Sequence, residues 1–204
     1  MGVSLVHAID LLVLATRNEG KAAELSRLLA GAVRRIETLA THPEVKLPPE
    51  RGGSYRDIAA AKALAVYEAL GVPALGDDSG LEVDALGGEP GLHSARFAGE
   101  KATDEENNAL LLRRLADVPE ERRTARFRCA IALARAADDV IEVEGVCEGR
   151  ILKAPRGANG FGYDPLFLPD GETRTFAELL PSRKDSLSHR GRAAAVLSRV
   201  LRAG

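Results

Sequence analysis

The sequence predicts an α/β protein with a mixed β-sheet flanked by helices. Short apolar runs alternate with segments of helical spacing along most of the chain, an order typical of strands joined by helices. Residues 125–148 instead contain two successive alternating segments around the turn at 136–139, which predicts an antiparallel hairpin. The 204 residues are enough for one domain, 1–204, that buries its own core.

The first part of the chain is predicted to contain two strands and two helices. Leu11–Thr16 is a short apolar run of the kind buried inside a sheet. Leucines then recur at helical spacing up to Gly31, a residue that favours the end of a helix. The elements that follow are a strand at Val33–Leu39, an exposed loop at Thr41–Gly53, and a helix at Ile58–Leu70 preceded by the cap Ser54.

The stretch Gly76-Asp77-Asp78-Ser79-Gly80 is predicted to be a tight polar turn between two short strands. Asp, Ser and Gly all favour turns for local backbone reasons, so a turn without function explains the composition. Two adjacent carboxylates repel each other unless a positive group lies beside them. Mg²⁺ is one such group, since it takes one or two carboxylates and fills its other sites with water and phosphate oxygens.

The second part of the chain adds helices and a basic loop to the hairpin. Thr103–Glu106 has the pattern of a capping box and predicts a helix that continues to Pro119. The stretch Gly87–Gly99 before it is irregular. The remaining predicted elements are a short helix at Phe176–Leu180, a basic polar loop at Ser182–Arg192 and a final helix at Ala193–Arg202.

Composition and charge exclude several classes of function. The net charge of −2 gives no overall field that attracts nucleic acid or a membrane surface, and no apolar stretch reaches the length of a membrane helix. Residues 1–10 lack the basic region and apolar run of a signal peptide. Cys129 and Cys147 lack a metal-ligand spacing and are expected to be core thiols in a reducing compartment. We therefore expect a cytoplasmic protein that binds neither nucleic acid nor membranes.

A polar loop follows the first predicted strand at Thr16–Lys21. It joins a glycine and a lysine to the start of a helix, where free N–H groups and the helix dipole attract phosphate. It lacks the Gly-Lys-Ser/Thr ending of the common phosphate loop, so an ordinary strand-to-helix turn explains it equally well.

Three other polar positions carry groups that suit a nucleotide but also have simpler explanations. Lys62, with Glu50 before it, is most simply a solvated lysine on an alanine-rich helix. Phe161–Asp164 offers two aromatic rings and an acid for a base, although inward-packing aromatics are commoner. The segment Ser182–Arg190 concentrates basic groups before the last helix, as a capping loop also would.

Six motifs in order, however, match one family. They are Thr16-x-Asn18-x-x-Lys21, Asp77-Asp78-Ser79-Gly80-Leu81, Gly87-Gly88-x-Pro90-Gly91, Ser94-Ala95-Arg96, Gly160-Phe161-Gly162-Tyr163-Asp164-Pro165 and Ser188-His189-Arg190-Gly191. In these motifs the chain resembles the inosine triphosphate pyrophosphatase family, also called non-canonical purine NTP pyrophosphatases or XTP/dITP diphosphatases. The resemblance runs from about Leu11 to the last helix. It departs where the family has a Glu-Asn pair and this chain has Asp57-Ile58.

The resemblance implies a role for each matching residue. Asp78 would be the catalytic aspartate, a proton acceptor that also holds Mg²⁺ together with Glu50, with Asp77 in support. Substrate would be bound by three groups of residues. They are Thr16, Arg17, Asn18, Glu19, Gly20, Lys21 and Lys62 at the triphosphate, Ser79 beside the catalytic aspartate, and Phe161, Gly162, Tyr163, Asp164, Lys184, His189 and Arg190 at the base.

The resemblance also implies the architecture and the reaction. The fold would be an elongated mixed sheet in two lobes with the active cleft between them, and the enzyme a homodimer. The reaction would be Mg²⁺-dependent hydrolysis of ITP, dITP and XTP to the monophosphate and pyrophosphate, which cleanses the nucleotide pool. Two alternatives are a Maf-type pyrophosphatase that acts on other modified nucleotides and a non-catalytic nucleotide-binding module.

Overall fold

A computed structural model describes residues 9–50 and 53–203, which form a six-stranded sheet and five α-helices. The strands, in the spatial order β2-β1-β3-β4-β5-β6, are β1 (Ile9–Leu14), β2 (Val33–Thr38), β3 (Ala74–Val83), β4 (Thr124–Ala136), β5 (Asp139–Ile151) and β6 (Phe167–Pro169). The helices are α1 (Glu19–Leu29), α2 (Tyr55–Leu70), α3 (Asp104–Arg114), α4 (Pro181–Leu187) and α5 (His189–Ala203). Residues 1–8, on which most of the signal-peptide expectation rests, and residues 51–52 of the predicted loop lie outside the described residues.

The sheet is mixed, which confirms the predicted fold class. Strand β1 pairs in parallel with both β2 and β3, whereas β5 and β6 pair antiparallel. Strands β4 and β5 are neighbours joined by residues 137–138 alone, so they form the antiparallel hairpin predicted from their alternating pattern. Within the described part of the chain no helix is long and apolar enough to cross a bilayer.

The chain divides into two compact units. The first contains the described residues up to Asp78, together with Ala130–Glu144 and the residues from Arg192 onward. The second contains Ser79–Cys129 and Gly145–Gly191. Strand β3 therefore contributes residues to both units, and the boundary in this strand is the peptide bond between Asp78 and Ser79.

The core of the first unit allows α2 to lie unusually close to the sheet. Ala59 and Ala63 of α2 pack in a buried cluster with three alanines of β4. At Gly76 a Cβ atom would lie 2.0 Å from the carbonyl oxygen of Ala59 and 2.9 Å from the nitrogen of Ala63. Only a residue without a side chain leaves room for this approach, which explains a glycine in the interior of β3.

The core of the second unit is aromatic and leucine-rich. The ring of Phe167 lies 4.8 Å from that of Phe127, edge to face, and 5.0 Å from that of Phe176. Offset and edge-on contacts of this kind stabilise aromatic clusters beyond the area they bury. Leu81 and Leu111 pack against the same cluster, so β3 and α3 are both anchored to it.

The prediction of a turn at Gly76–Gly80 is wrong. All five residues lie inside β3, and Asp77 and Asp78 are buried. Gly76 is a glycine because α2 approaches the strand closely there. Asp77 and Asp78 are carboxylates that pair with lysines elsewhere in the first unit.

The prediction of a basic loop at Ser182–Arg192 is also wrong. The segment forms α4 and the start of α5, with a sharp junction at Ser188. The Ser188 hydroxyl accepts a hydrogen bond from the Gly191 N–H at 3.1 Å, which is an N-cap contact. A Cβ on Gly191 would lie 1.8 Å from the carbonyl oxygen of Asp185, so this junction requires glycine.

The predicted starts of α2 and α3 are confirmed, whereas α5 begins at His189, four residues before the predicted Ala193. Ser54 caps α2 by accepting from the Asp57 N–H, and Gly71 ends the helix in the left-handed conformation. Thr103 and Glu106 form the complete capping box of α3. Helix α1 ends one residue earlier than expected, with Ala30 rather than Gly31 as its C-cap.

Candidate active site

The predicted phosphate-binding loop joins β1 to α1. Asn18 is the N-cap of α1, and its side chain accepts a hydrogen bond from the Lys21 N–H at 2.9 Å. The Thr16 hydroxyl accepts from the Asn18 N–H at 3.1 Å, which fixes the turn. Arg17 is held by a 2.8 Å hydrogen bond from its guanidinium to the carbonyl of Val45.

A cavity of about 190 Å³ opens beside this loop. It lies where the parallel strands β1 and β2 end, which is the edge at which open α/β sheets bind ligands. Its lining residues are Thr16, Arg17, Asn18, Glu19, Ala22, Thr38 and Ala40. The first turn of α1 therefore faces a space with the polar groups that a phosphate chain needs.

Lys62 of α2 joins two carboxylates of the first unit. Its Nζ lies 2.6 Å from Glu50 Oε1 and 3.3 Å from Asp78 Oδ1. The Lys62 side chain is only 9% exposed, so the expectation of a solvated lysine is wrong. A buried ammonium group is stable only beside groups that offset its charge. The carboxylates of Glu50 and Asp78 both lie beside the Lys62 ammonium.

Asp77 pairs with a different lysine. Its buried carboxylate lies 2.7 Å from the Nζ of Lys21, at the start of α1. Each of the two adjacent aspartates thus lies beside a lysine, which offsets the repulsion that the sequence implied. Lys21, Glu50, Lys62, Asp77 and Asp78 together are called the carboxylate–lysine cluster below.

Burial and charge shift the protonation of this cluster. Burial raises the pKa of Asp78 above its ordinary value, and the nearby cations Lys21 and Lys62 oppose the shift without cancelling it. Burial lowers the pKa of Lys62, but the attraction of Asp78 and Glu50 outweighs it, so the net pKa is raised. Asp78 is consequently a better proton acceptor than an exposed aspartate, while Lys62 stays charged.

The carboxylate oxygens of the cluster suit a cation that binds to the protein and to a substrate at the same time. Oxygens of Glu50 and Asp78 already converge on one positive group, and Mg²⁺ takes one or two carboxylates. In residues 9–50 and 53–203 no three His, Cys, Asp or Glu side chains gather into a complete metal site. Water and phosphate oxygens would therefore have to fill the remaining positions around such an ion.

The second unit brings together the residues predicted to bind the base. Lys184 of α4 forms a buried ion pair with Asp164, whose carboxylate also accepts from the Phe161 N–H at 3.0 Å. The Lys184 ammonium lies 5.0 Å from the centre of the Phe161 ring and 5.4 Å from that of Phe176. These cation–π contacts and the ion pair hold the charge of Lys184 away from bulk water.

His189 and Arg190 begin α5 and face into the second unit. The His189 ring stacks on Phe127, with centroids 4.7 Å apart and planes 12° from parallel. Arg190 is almost fully buried, lies 5.8 Å above the Phe161 ring and donates to the Ser79 hydroxyl at 2.9 Å. Phe161, Asp164, Lys184, His189 and Arg190 are called the aromatic–basic cluster below.

The remaining predicted residues of this loop are anchored by contacts within the second unit that the sequence did not predict. The Tyr163 hydroxyl donates to the carbonyl of Ser94 at 2.8 Å, and burial raises the pKa of this phenol, so it remains a donor. Gly162 is bonded on both sides by Asp104 and Asn108 of α3. The capping box located α3 in the sequence, but no local signal pairs a helix with a loop more than fifty residues away.

Comparison with known proteins adds three kinds of likeness. A family model described as the Ham1 family matches residues 12–200. The chain is 49% identical over 182 residues to a dITP/XTP pyrophosphatase of Desulforamulus reducens, which covers 89% of this chain and 90% of that protein. It is also 49% identical over 194 residues to a dITP/XTP pyrophosphatase of Mycobacterium tuberculosis, with 94% and 95% covered.

Solved structures agree with these sequence relatives. A HAM1 protein from Coxiella burnetii has a TM-score of 0.84 and 40% identity over 96% of this chain and 100% of that one. A nucleoside-triphosphatase, dITP/XTP pyrophosphatase, from Mycobacterium abscessus has a TM-score of 0.72 and 47% identity over 92% and 98%. The names of these relatives are those of the family that the six motifs indicated, so the predicted resemblance is confirmed.

Proposed function

Because this chain belongs to the Ham1 family, we propose that it hydrolyses the non-canonical purine nucleotides ITP, dITP and XTP, with Mg²⁺, to the monophosphate and pyrophosphate. It is a nucleoside triphosphate pyrophosphatase, a hydrolase of the bond between the α and β phosphates. Its role is to remove these nucleotides from the pool before they are used. We expect it to act as a cytoplasmic homodimer, which size-exclusion chromatography and cell fractionation test.

The observation that carries the proposal is the sharing of Lys62 between Asp78 and Glu50 in a buried setting. Burial leaves Asp78 with a raised pKa, which suits a group that takes a proton from the attacking water. We assign this proton to an oxygen of Asp78, and we assign to Asp77 the support of Lys21 at 2.7 Å.

Glu50 and Asp78 would hold the Mg²⁺ ion. A divalent ion at this place neutralises phosphate charge and orients the reacting groups. Lys21 and Lys62 would face the charge that builds up on the departing pyrophosphate, and the N–H groups at the start of α1 would bind phosphate oxygens. The net charge of −2 means that these local groups, rather than the whole molecule, must attract the triphosphate.

The aromatic–basic cluster would select the base by its hydrogen-bonding edge. A 6-oxopurine carries an oxygen acceptor at position 6 and an N–H donor at position 1, whereas adenine carries the opposite pair. Lys184 and Arg190 are permanent donors, and the carboxylate of Asp164 is an acceptor. Adenine presents a donor where a 6-oxopurine presents an acceptor and an acceptor where it presents a donor, and sites built for hydrogen bonds discriminate strongly against such a mismatch.

The test is pyrophosphate release from ITP, dITP, XTP, GTP, ATP and a pyrimidine triphosphate, each with and without Mg²⁺. We expect Mg²⁺-dependent release with ITP, dITP and XTP well above ATP. A preference for ATP contradicts the base assignment, a preference for GTP contradicts the proposed non-canonical substrates, and a preference for the pyrimidine nucleotide favours the Maf-type alternative. Nucleotide binding without pyrophosphate release favours the non-catalytic alternative.

A further inference from the structure

Helix α3 holds one residue of the Phe161–Asp164 loop from both sides. The Asp104 carboxylate accepts a hydrogen bond from the Gly162 N–H at 2.6 Å, and the Asn108 amide donates to the Gly162 carbonyl at 2.9 Å. Asp104 and Asn108 are four residues apart on α3, so they lie on the same face of the helix. We propose that this pair, the Gly162 clamp, consists of positioning residues that fix the loop for recognition of the purine base.

The clamp controls a residue on which the shape of the loop depends. Gly162 has a φ of +61°, a conformation that side-chain-bearing residues rarely adopt, and a Cβ there would meet no atom within 4 Å. The glycine is therefore required by the backbone conformation rather than by lack of space. Two hydrogen bonds to its N–H and carbonyl fix the peptide groups on both sides, and these groups lead directly to Phe161 and Tyr163.

Asn108 carries a buried polar atom that a residue serving only the packing of α3 would not need. Its Oδ1 atom is buried and has no hydrogen-bond partner among the residues that the structure describes. A buried acceptor without a partner destabilises the folded state, and a leucine of similar size would not have this defect. Asn108 is thus better suited to its bond with Gly162 than to the packing of α3.

The expected consequence is a change in base binding rather than in bond cleavage. The Phe161 ring, next to Gly162, lies under the Lys184 ammonium at 5.0 Å and the Arg190 guanidinium at 5.8 Å. Loss of the clamp would let this ring move relative to both cations. The residues assigned to cleavage belong to the carboxylate–lysine cluster of the first unit, whereas Asp104 and Asn108 belong to the second unit.

Because this proposal rests on the proposed function, the first experiment measures pyrophosphate release from ITP by the full chain and its variants. We expect Asp104→Ala and Asn108→Leu each to raise KM about tenfold, the effect of losing one hydrogen bond of typical strength, with kcat little changed. Asp104→Asn keeps an acceptor oxygen and should restore KM to near the wild-type value. Glu105→Ala removes an exposed charge from the same helix turn and is the matched control.

Thermal unfolding separates positioning from simple support. We expect Asn108→Leu to unfold at the wild-type temperature or above it while its KM rises, which a residue needed only for stability would not do. An unchanged KM in both Asp104→Ala and Asn108→Leu overturns the proposal. Equal damage from Asp104→Asn and Asp104→Ala also overturns it, since the two differ in the acceptor that the clamp requires.

Amide hydrogen exchange at Gly162 tests the clamp without any turnover. Exchange should be faster in Asp104→Ala than in wild type, and unchanged in Asp104→Asn and Glu105→Ala. Unchanged exchange in Asp104→Ala overturns the clamp even where ITP is hydrolysed. If Asp104→Ala exchanges faster but the wild-type protein does not hydrolyse ITP, the clamp is supported and the proposed function is refuted. The failure of the clamp and the failure of the proposed function are therefore distinguishable.

Discussion

Replacing Gly76 with alanine tests how closely α2 lies against β3. The new Cβ would lie 2.0 Å from the Ala59 carbonyl oxygen and 2.9 Å from the Ala63 nitrogen. Favourable carbon–oxygen contacts in proteins are about 3.3 Å or longer, so α2 and β3 must separate by more than about 1 Å. Both close atoms belong to the helix backbone, and no side-chain rotation relieves the contact.

The expected loss of stability follows from this overlap. Overpacking of a core costs about 1–3 kcal/mol, and we expect the upper end because backbone atoms must move. Removing a glycine returns up to about 1 kcal/mol through the unfolded state, which leaves a net loss of about 2 kcal/mol. For a chain of this size that loss lowers the Tm by about 4–8 °C.

Activity should fall as well, because α2 carries Lys62 and Asp78 follows Gly76 by two residues. A displaced helix would lengthen the 3.3 Å contact between the Lys62 ammonium and Asp78. The assay is thermal unfolding by circular dichroism together with pyrophosphate release. Gly31→Ala is the matched control, because a Cβ there would meet nothing within 4 Å. A Gly76→Ala protein with the Tm and activity of the control would refute the close packing of α2 on β3.

Three further outcomes are expected. Lys62→Met should lower the free energy of unfolding, measured by urea denaturation, by about 1–3 kcal/mol. The loss is smaller than for a fully buried ion pair because the side chain of Glu50, one of the two carboxylate partners, is 35% exposed. Lys184→Met should cost about 3–5 kcal/mol, since it removes the ammonium partner of the buried Asp164 carboxylate. Arg183→Met removes an exposed ion pair and should cost under about 1 kcal/mol. Chelation by EDTA should abolish pyrophosphate release and added Mg²⁺ should restore it, and release that continues in EDTA would contradict the metal assignment.

Local patterns predicted most of the architecture because they report local physics. The alternation in β4 and β5 and the two-residue turn between them are properties of neighbouring residues. The cap at Ser54 and the capping box at Thr103 depend only on the first turn of each helix. The two caps are visible in the sequence because the residues that form each cap are three positions apart.

The wrong predictions at the Asp-Asp stretch, at Lys62 and at the basic segment arose where distant contacts override local preference. Asp77, Asp78 and their glycines resemble a turn, yet β3 passes through them because Lys21 and Lys62 pair with the carboxylates. The basic segment Ser182–Arg192 likewise resembles a solvated loop in the sequence, yet its Lys184 is buried in the structure. Burial of Lys184 depends on Asp164, twenty positions earlier, which no local pattern shows.

Candidate site residues were found by a motif likeness rather than by their geometry. The sequence could not show that Glu50 and Asp78 share one ammonium group, because these residues are far apart in the chain. It could not show the Gly162 clamp either, since Asp104 and Asn108 read as ordinary residues of an amphipathic helix. Both features become visible only when the elements are assembled.

The central claim is that Asp78 takes the proton of the attacking water, and Asp78→Asn tests it most directly. The amide keeps the shape of the side chain but has no basic oxygen, and Lys62 retains Glu50 as a partner at 2.6 Å. We expect Mg²⁺-dependent pyrophosphate release from ITP to fall by about 10²–10⁴-fold, with nucleotide binding measured by calorimetry largely retained. Pyrophosphate release by a folded Asp78→Asn protein at near the wild-type rate would contradict the claim.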